Sequence, residues 1–191
     1  MKQILINASQ REELRLAIVE NNKLIELDID LPSKNIKSNI YKGTISRVEP
    51  SLEAAFVNFG RTRHGFLPFK EISPDIFTAG KSKSARDCIE QGKEIVVQID
   101  KEERGTKGAA LSTYLSLAGK YLVLLPRNPN TGGVSRRLEG NDRLAAKKLL
   151  NDINVPEGMS VILRTSGLDT TKDTLQWDMN YLIQIFESIL E

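Results

Sequence analysis

The chain holds one cysteine, Cys88, and one histidine, His64, among its 191 residues. A lone cysteine forms no internal disulfide and no Cys-x-x-Cys metal site. A lone histidine has no second imidazole or thiolate with which to share a metal. Aromatic residues make up only 6% of the chain. No apolar run approaches the roughly 20 residues that a membrane-crossing helix needs. The opening Met1-Lys2-Gln3-Ile4-Leu5 lacks the long apolar stretch and small-residue cleavage site of a secretory leader, so the chain reads as cytoplasmic. Net charge is also scarce: 27 Lys and Arg against 25 Asp and Glu leave +2. A polyanion-binding surface must therefore come from local clustering of cations, not from bulk charge. What remains is ordinary for a globular protein, with 40% hydrophobic and 27% charged residues. The length allows one domain or two small ones.

Hydropathy alternates at period two through residues 1–34. Ile4 and Ile6 oppose Leu5, Leu14, Leu16 and Ile18 repeat, and Leu24, Ile25 and Leu27 follow more loosely. Asn21-Asn22-Lys23 suits a hairpin turn because Asn tolerates positive φ. Three short antiparallel strands result, and such a meander cannot cover its own faces. Strand patterns recur at 39–48, 54–59, 64–69, 93–101 and 109–117. A polar loop is expected over 74–84, a short helix with Cys88 around 85–90, and a turn at Arg104-Gly105-Thr106-Lys107-Gly108. Five strands with one helix between them is the inventory of an OB-fold barrel. Beyond it, strands are predicted at 121–125 and 160–164, and a helix ending near Asn151 is capped by Asn141 or Asp142. A second helix spans 175–190, where Trp177, Tyr181, Ile185 and Ile189 recur at i, i+4 spacing beside Leu182, Phe186 and Leu190.

Two groups of residues carry candidate chemistry. If Ala55 and Val57 fill the barrel, alternation turns Phe56 outward, beside Phe66 on the next strand. An exposed aromatic pair is a stacking platform for bases, and Lys42, Arg47, Arg61, Arg63 and Lys107 could hold phosphates around it. Spacing alone equally allows both rings to be core, leaves Phe59 ambiguous at a strand end, and leaves His64 a structural hydrogen bond or a base contact. The second group is Val161-Ile162-Leu163-Arg164-Thr165-Ser166-Gly167, an apolar strand ending in a guanidinium and a hydroxyl. Arg grips two phosphate oxygens at once. Gly132-Gly133 permits close backbone approach, and Arg136-Arg137 adds charge. A surface Arg beside an ordinary Thr fits the same spacing.

Three gapless runs resemble the ribonuclease E/G family along essentially the whole chain. They are Ile99-Asp100-Lys101-Glu102-Glu103-Arg104-Gly105-Thr106-Lys107-Gly108-Ala109-Ala110-Leu111, Asn39-Ile40-Tyr41-Lys42-Gly43 and Gly132-Gly133-Val134-Ser135-Arg136-Arg137. His64-Gly65-Phe66-Leu67-Pro68 favours the E branch over the G branch. The resemblance implies an α+β, mostly β chain in three parts. Residues 1–35 would be a β-meander from an incomplete RNase H-like subdomain. Residues 36–118 would form an OB-fold RNA-binding domain of the kind repeated in a large ribosomal protein, and 119–191 a small α+β 5′-sensor region. It implies that Phe56, Phe66 and Lys107 line an RNA channel, with Lys42 and His64 as further RNA contacts. It also implies that Arg164, Thr165, Gly119, Val123 and Arg136 hold an RNA 5′-monophosphate and exclude a triphosphate.

The family's catalytic Asp residues and Cys-x-x-Cys zinc link lie in later domains, so Mg²⁺ and Zn²⁺ are implied for a longer, homo-oligomeric parent and no cofactor for these residues. Asp28, Asp30, Asp100, Glu102, Glu103 and Asp142 show no pairing that would carry metal-assisted hydrolysis, and no catalytic residue is assigned. The expectation is the single-stranded-RNA-binding and 5′-end-sensing portion of an endoribonuclease of rRNA processing and mRNA decay, inactive alone. The alternatives are a stand-alone RNA-binding adaptor and a ribosome-associated OB-fold protein.

Overall fold

The structure is a computed structural model that describes residues 2–10, 13–30, 36–76 and 89–191. The chain divides into two compact units, residues 1–39 and 40–191. The first is a three-stranded antiparallel sheet, β1 (Lys2–Gln10), β2 (Glu13–Glu20) and β3 (Lys23–Asp30), as alternation predicts. Asn21 and Asn22 link β2 to β3 with φ of 49° and 61°. Two successive left-handed residues make a hairpin turn that matches strand twist, and Asn adopts them at little cost. Both faces stay open: Ile4, Leu5, Ile6, Leu24, Ile25, Leu27 and Ile29 are all exposed, Ile6 to 66%. Contiguous apolar surface with free strand edges promotes association. Sedimentation velocity of the chain is therefore expected to give a weight-average mass that rises with concentration. A strict monomer that binds no hydrophobic dye would contradict this.

In the second unit, β4 (Ile40–Glu49), β5 (Ala54–Asn58), β6 (Gly65–Pro68), β7 (Glu94–Lys101) and β8 (Ala110–Ser112) close a barrel in the order β4-β5-β6-β8-β7. Ile45, Ala55, Val57, Leu67, Val97, Ile99 and Leu111 fill it. Closure brings the 104–108 turn against β6. A Cβ on Gly108 would stand 2.2 Å from the His64 carbonyl oxygen, so only glycine fits there. The predicted helix over 85–90, with Cys88, falls almost wholly outside the described residues, as does most of the 74–84 loop.

The closing strand is shorter than alternation suggests, and side chains explain why. Thr113 donates its N–H and its hydroxyl to the Glu71 carbonyl, at 2.9 and 3.0 Å, and accepts from the Ser73 N–H at 2.7 Å. The Gln98 amide takes both the N–H and the C=O of Ser116, at 2.7 and 2.9 Å. Backbone groups that further rungs would have used are satisfied elsewhere, and the chain leaves the barrel. Leu117–Ala118 (β9) pairs instead with β10 (Leu122–Leu125).

β9 and β10 belong to a four-stranded sheet of order β11-β12-β10-β9, with β11 (Gly133–Val134) parallel to β12 (Ser160–Leu163). One face, with Leu122, Leu124, Val134, Val161 and Leu163, packs on helices α1 (Gly140–Asn151) and α2 (Lys172–Leu190). α1 begins one residue ahead of its expected cap. Glu139 holds the cap position without a side-chain bond, and Asp142 lies in the first turn, where its charge suits the helix dipole. On α2 the Thr171 side chain accepts from the Thr174 N–H at 3.3 Å. Its buried stripe is Leu175, Met179, Leu182 and Phe186. Trp177, 67% exposed, and Tyr181 stack on each other outside, with ring planes 3° apart. The helix carries two apolar stripes: the sheet takes the first whole, while of the second Ile185 and Ile189 are half-buried against the same core and Trp177 and Tyr181 stay outside.

Candidate nucleic-acid interface

β5 and β6 place Phe56 directly opposite Phe66, while Ala55 and Val57 point into the barrel. Both rings are half-buried and meet edge-to-face at 5.9 Å, with planes at 68°. They floor a cleft of about 460 Å³ that Thr106, Lys107, Gly108 and Ala110 complete. Arg47, opposite Phe56 on β4, holds its guanidinium 4.8 Å from the Phe56 ring centroid. A cation over a ring face is attracted by the ring quadrupole. Lys107 is exposed at the rim, on a turn that Arg104 and Lys107 close with reciprocal backbone bonds of 3.1 and 3.0 Å. The cleft thus joins an apolar floor to cations on two sides, which is what a base with its phosphate requires.

His64 lies beside this cleft. Its Nδ1 is 2.9 Å from the Ser46 hydroxyl, which also donates to the Phe56 carbonyl at 3.1 Å. The hydroxyl has one proton. When that proton goes to the carbonyl, Nδ1 is the donor and Nε2 an acceptor. Arg63 donates to the Gly105 carbonyl and stands 4.0 Å from Glu103, so it braces the turn, while Arg61 is exposed. Lys42 is not brought to the cleft. It makes an exposed 2.8 Å ion pair with Glu94 across β4 and β7, and lines a separate groove with Tyr41 and Ile189. Phe59 is core, buried and edge-on to Tyr41 at 5.3 Å.

A second constellation forms where β12 stops. Arg164 is extended, its N–H bonded to the Tyr121 carbonyl at 2.8 Å and its guanidinium donating to the Gly119 carbonyl. No carboxylate among the described residues pairs with it. Thr165, exposed, opens a 3-10 turn through Gly167. Gly133, Ile162, Val123 and Ala118 stand in one row across the four strands, on the sheet face away from the helices. Ser135 donates to the Leu163 carbonyl at 2.8 Å, which sets exposed Arg136 at the same sheet end as Arg164. Lys120 adds charge here; the Tyr121 side chain, whose ring centroid lies 5.0 Å from its ammonium, holds its pKa above the ordinary lysine value. The geometry therefore gathers Arg164, Thr165, Gly119 and Arg136 around one end of a sheet whose open face carries Val123.

Residues 34–114 match the S1 RNA binding domain, and residues 116–191 match the Ribonuclease E/G family. The chain carries the ribonuclease E/G family's match at residues 116–191. Over 99% of its length it is 53% identical to ribonuclease E of Escherichia coli (strain K12), covering 18% of that protein. It is 52% identical, over the same share, to ribonuclease E of Haemophilus influenzae, covering 21% of it. Likeness to the G branch is weaker: 33% to ribonuclease G of Escherichia coli (strain K12), of which the chain covers 40%. The chain thus spans about a fifth of the length of these ribonuclease E relatives.

Sequence reasoning missed two residues on which these sites depend, one in each matched part. Ser46 is invisible to hydropathy, and its contact with His64, 18 positions away, shows only in the fold. Asp178, 2% exposed, accepts from the N–H groups of Lys120, Tyr121 and Leu122. Its signal was present: an acid between Trp177 and Met179 in an apolar helix stretch needs partners to be buried.

Proposed function

We propose that this chain is the substrate-recognition portion of a ribonuclease E-type endoribonuclease. It binds single-stranded RNA on the Phe56–Phe66 cleft, with Lys107 and His64 as further contacts there and Lys42 as a contact outside the cleft, on the separate groove of β4. It holds an RNA 5′-monophosphate with Arg164, Thr165, Gly119, Val123 and Arg136. The observation that carries the reading is the half-open pair of phenyl rings walled by Lys107 and Arg47, on a barrel that matches the S1 RNA binding domain. Stacking on rings is sequence-tolerant and demands unpaired bases. Titration with labelled oligonucleotides tests it: a single-stranded RNA should bind at least about tenfold tighter than the same RNA in a duplex. Equal affinity for both would refute the cleft as the binding surface.

Residues 1–35 fit a meander completed by other parts of a longer chain, since both of its faces are apolar and exposed. The 36–118 and 119–191 divisions are proposed as the RNA-binding and 5′-sensing parts. Among the described residues no group of three His, Cys, Asp or Glu converges to hold a metal. These residues do not fit the Mg²⁺ or Zn²⁺ implied for a parent enzyme, and no step of the proposal runs through either. No helix among them is long and apolar enough to cross a membrane. A cytoplasmic place and a homo-oligomeric parent belong to the same proposal.

A further inference from the structure

We infer that Asp178 is the positioning residue of the 5′-phosphate site, acting on Arg164 through a single peptide unit; the inference rests on the proposed reading of that site. The Gly119–Lys120 peptide has its N–H on the Asp178 carboxylate, at 3.2 Å, and its C=O on the Arg164 guanidinium. A trans peptide is planar, with N–H and C=O on opposite sides. Fixing one side fixes the other. Asp178 grips the neighbouring units as well, through the N–H groups of Tyr121 and Leu122, both at 2.9 Å. Three donors on one carboxylate leave the turn no freedom to rotate. The carboxylate also polarises the peptide it binds, which makes the Gly119 oxygen a stronger acceptor for the guanidinium. The Arg164 N–H is meanwhile pinned to the Tyr121 carbonyl, within the same gripped segment. Backbone and side chain of the phosphate-binding arginine are thus both referenced to one buried acid on α2.

Gly119 takes a new meaning from this. A Cβ on it would stand 2.7 Å and 2.8 Å from the two Asp178 carboxylate oxygens. The position is glycine because the carboxylate occupies the space of a side chain. A bare surface for phosphate approach is not needed to explain it.

The test compares 5′-monophosphorylated with 5′-hydroxyl single-stranded RNA of one sequence, on the 191-residue chain. The wild-type affinity ratio is expected at about 10- to 100-fold, the range for hydrogen bonds to a charged group. In Asp178→Asn one oxygen becomes a donor facing N–H groups, the turn loosens, and the ratio should fall to within about threefold of unity while 5′-hydroxyl RNA binds as before. A folded Asp178→Asn that keeps the wild-type ratio, or loses both RNAs equally, overturns the inference. If Asp178→Asn does not fold, Gly119→Ala, whose methyl displaces the carboxylate, decides through the readout without RNA given next. A readout without RNA separates this inference from the reading beneath it: ¹⁵N relaxation of the Arg164 guanidinium in the free protein. Order above that of Arg136, lost in Gly119→Ala, supports the linkage even where Arg164→Ala leaves the ratio unchanged and so refutes the phosphate site. An Arg164 as mobile as Arg136 in the wild type overturns the linkage even where the phosphate site stands.

Discussion

Replacing Phe56 and Phe66 together with alanine is expected to weaken single-stranded RNA binding by about 30-fold or more. Each stacked base is worth roughly 1–3 kcal/mol by alanine substitution, and two rings are lost. The lower bound of about 2 kcal/mol is already near 30-fold at room temperature. The loss should be the same for 5′-monophosphorylated and 5′-hydroxyl RNA, because the cleft residues differ from those at the end of β12. Two effects could confuse the result. The rings touch each other, and an aromatic pair contributes about 0.5–1.5 kcal/mol beyond area burial, so some stability goes with them. Arg47 also loses its ring partner. Both rings are only half-buried, however, so the barrel core of Ile45, Val57, Leu67 and Leu111 remains intact. A thermal melt checks this. The double variant should stay folded at assay temperature; unfolding would mean that the rings serve the core, and a folded variant with wild-type affinity would remove the cleft from RNA binding.

The barrel strands were legible because period-two alternation is local. β4 through β7 follow from runs such as Glu94-Ile95-Val96-Val97-Gln98-Ile99, and the outward turn of Phe56 follows from Ala55 and Val57 alone. The Asn21-Asn22 turn was legible because two consecutive residues of one type carry the backbone requirement. What failed to show depends on distant partners. The early end of β8 is set by Gln98 and Glu71, 18 and 42 positions from the groups they bind. Lys42 looked available for phosphate because nothing in the sequence pairs it with Glu94; only the β4–β7 register does. The two apolar stripes of α2 are equally apolar in sequence, and Asp178 decides between them by entering the sheet side to meet the 120–122 amides. Of the candidate site, residue types and their clustering at a strand end were readable, whereas the link from Arg164 to Gly119 and onward to α2 was not, since it runs through backbone atoms that every sequence shares.

Arg164→Ala is expected to abolish the preference for 5′-monophosphorylated RNA, a change of about 10- to 100-fold in the affinity ratio. A hydrogen bond to a charged group contributes about 1.5–3 kcal/mol, and a guanidinium offers two to one phosphate. The arginine is exposed, its one side-chain bond goes to a carbonyl, and no carboxylate among the described residues neutralises it. Its charge is therefore available to an anion, and its removal leaves no buried ion behind, so the melting temperature should move little. Binding of 5′-hydroxyl RNA should fall far less, because that end has no charge to grip. Arg164→Lys sharpens the argument. A lysine keeps the charge but not the planar fork, so a preference that rests on bidentate geometry should be mostly lost, and one that rests on charge alone should survive. Rising salt should shrink the wild-type preference as well, since an exposed pair is screened over about 8–10 Å at physiological ionic strength. Equal weakening of both RNAs by Arg164→Ala would make the arginine part of a nonspecific cationic surface and leave the end of β12 without a sensing role.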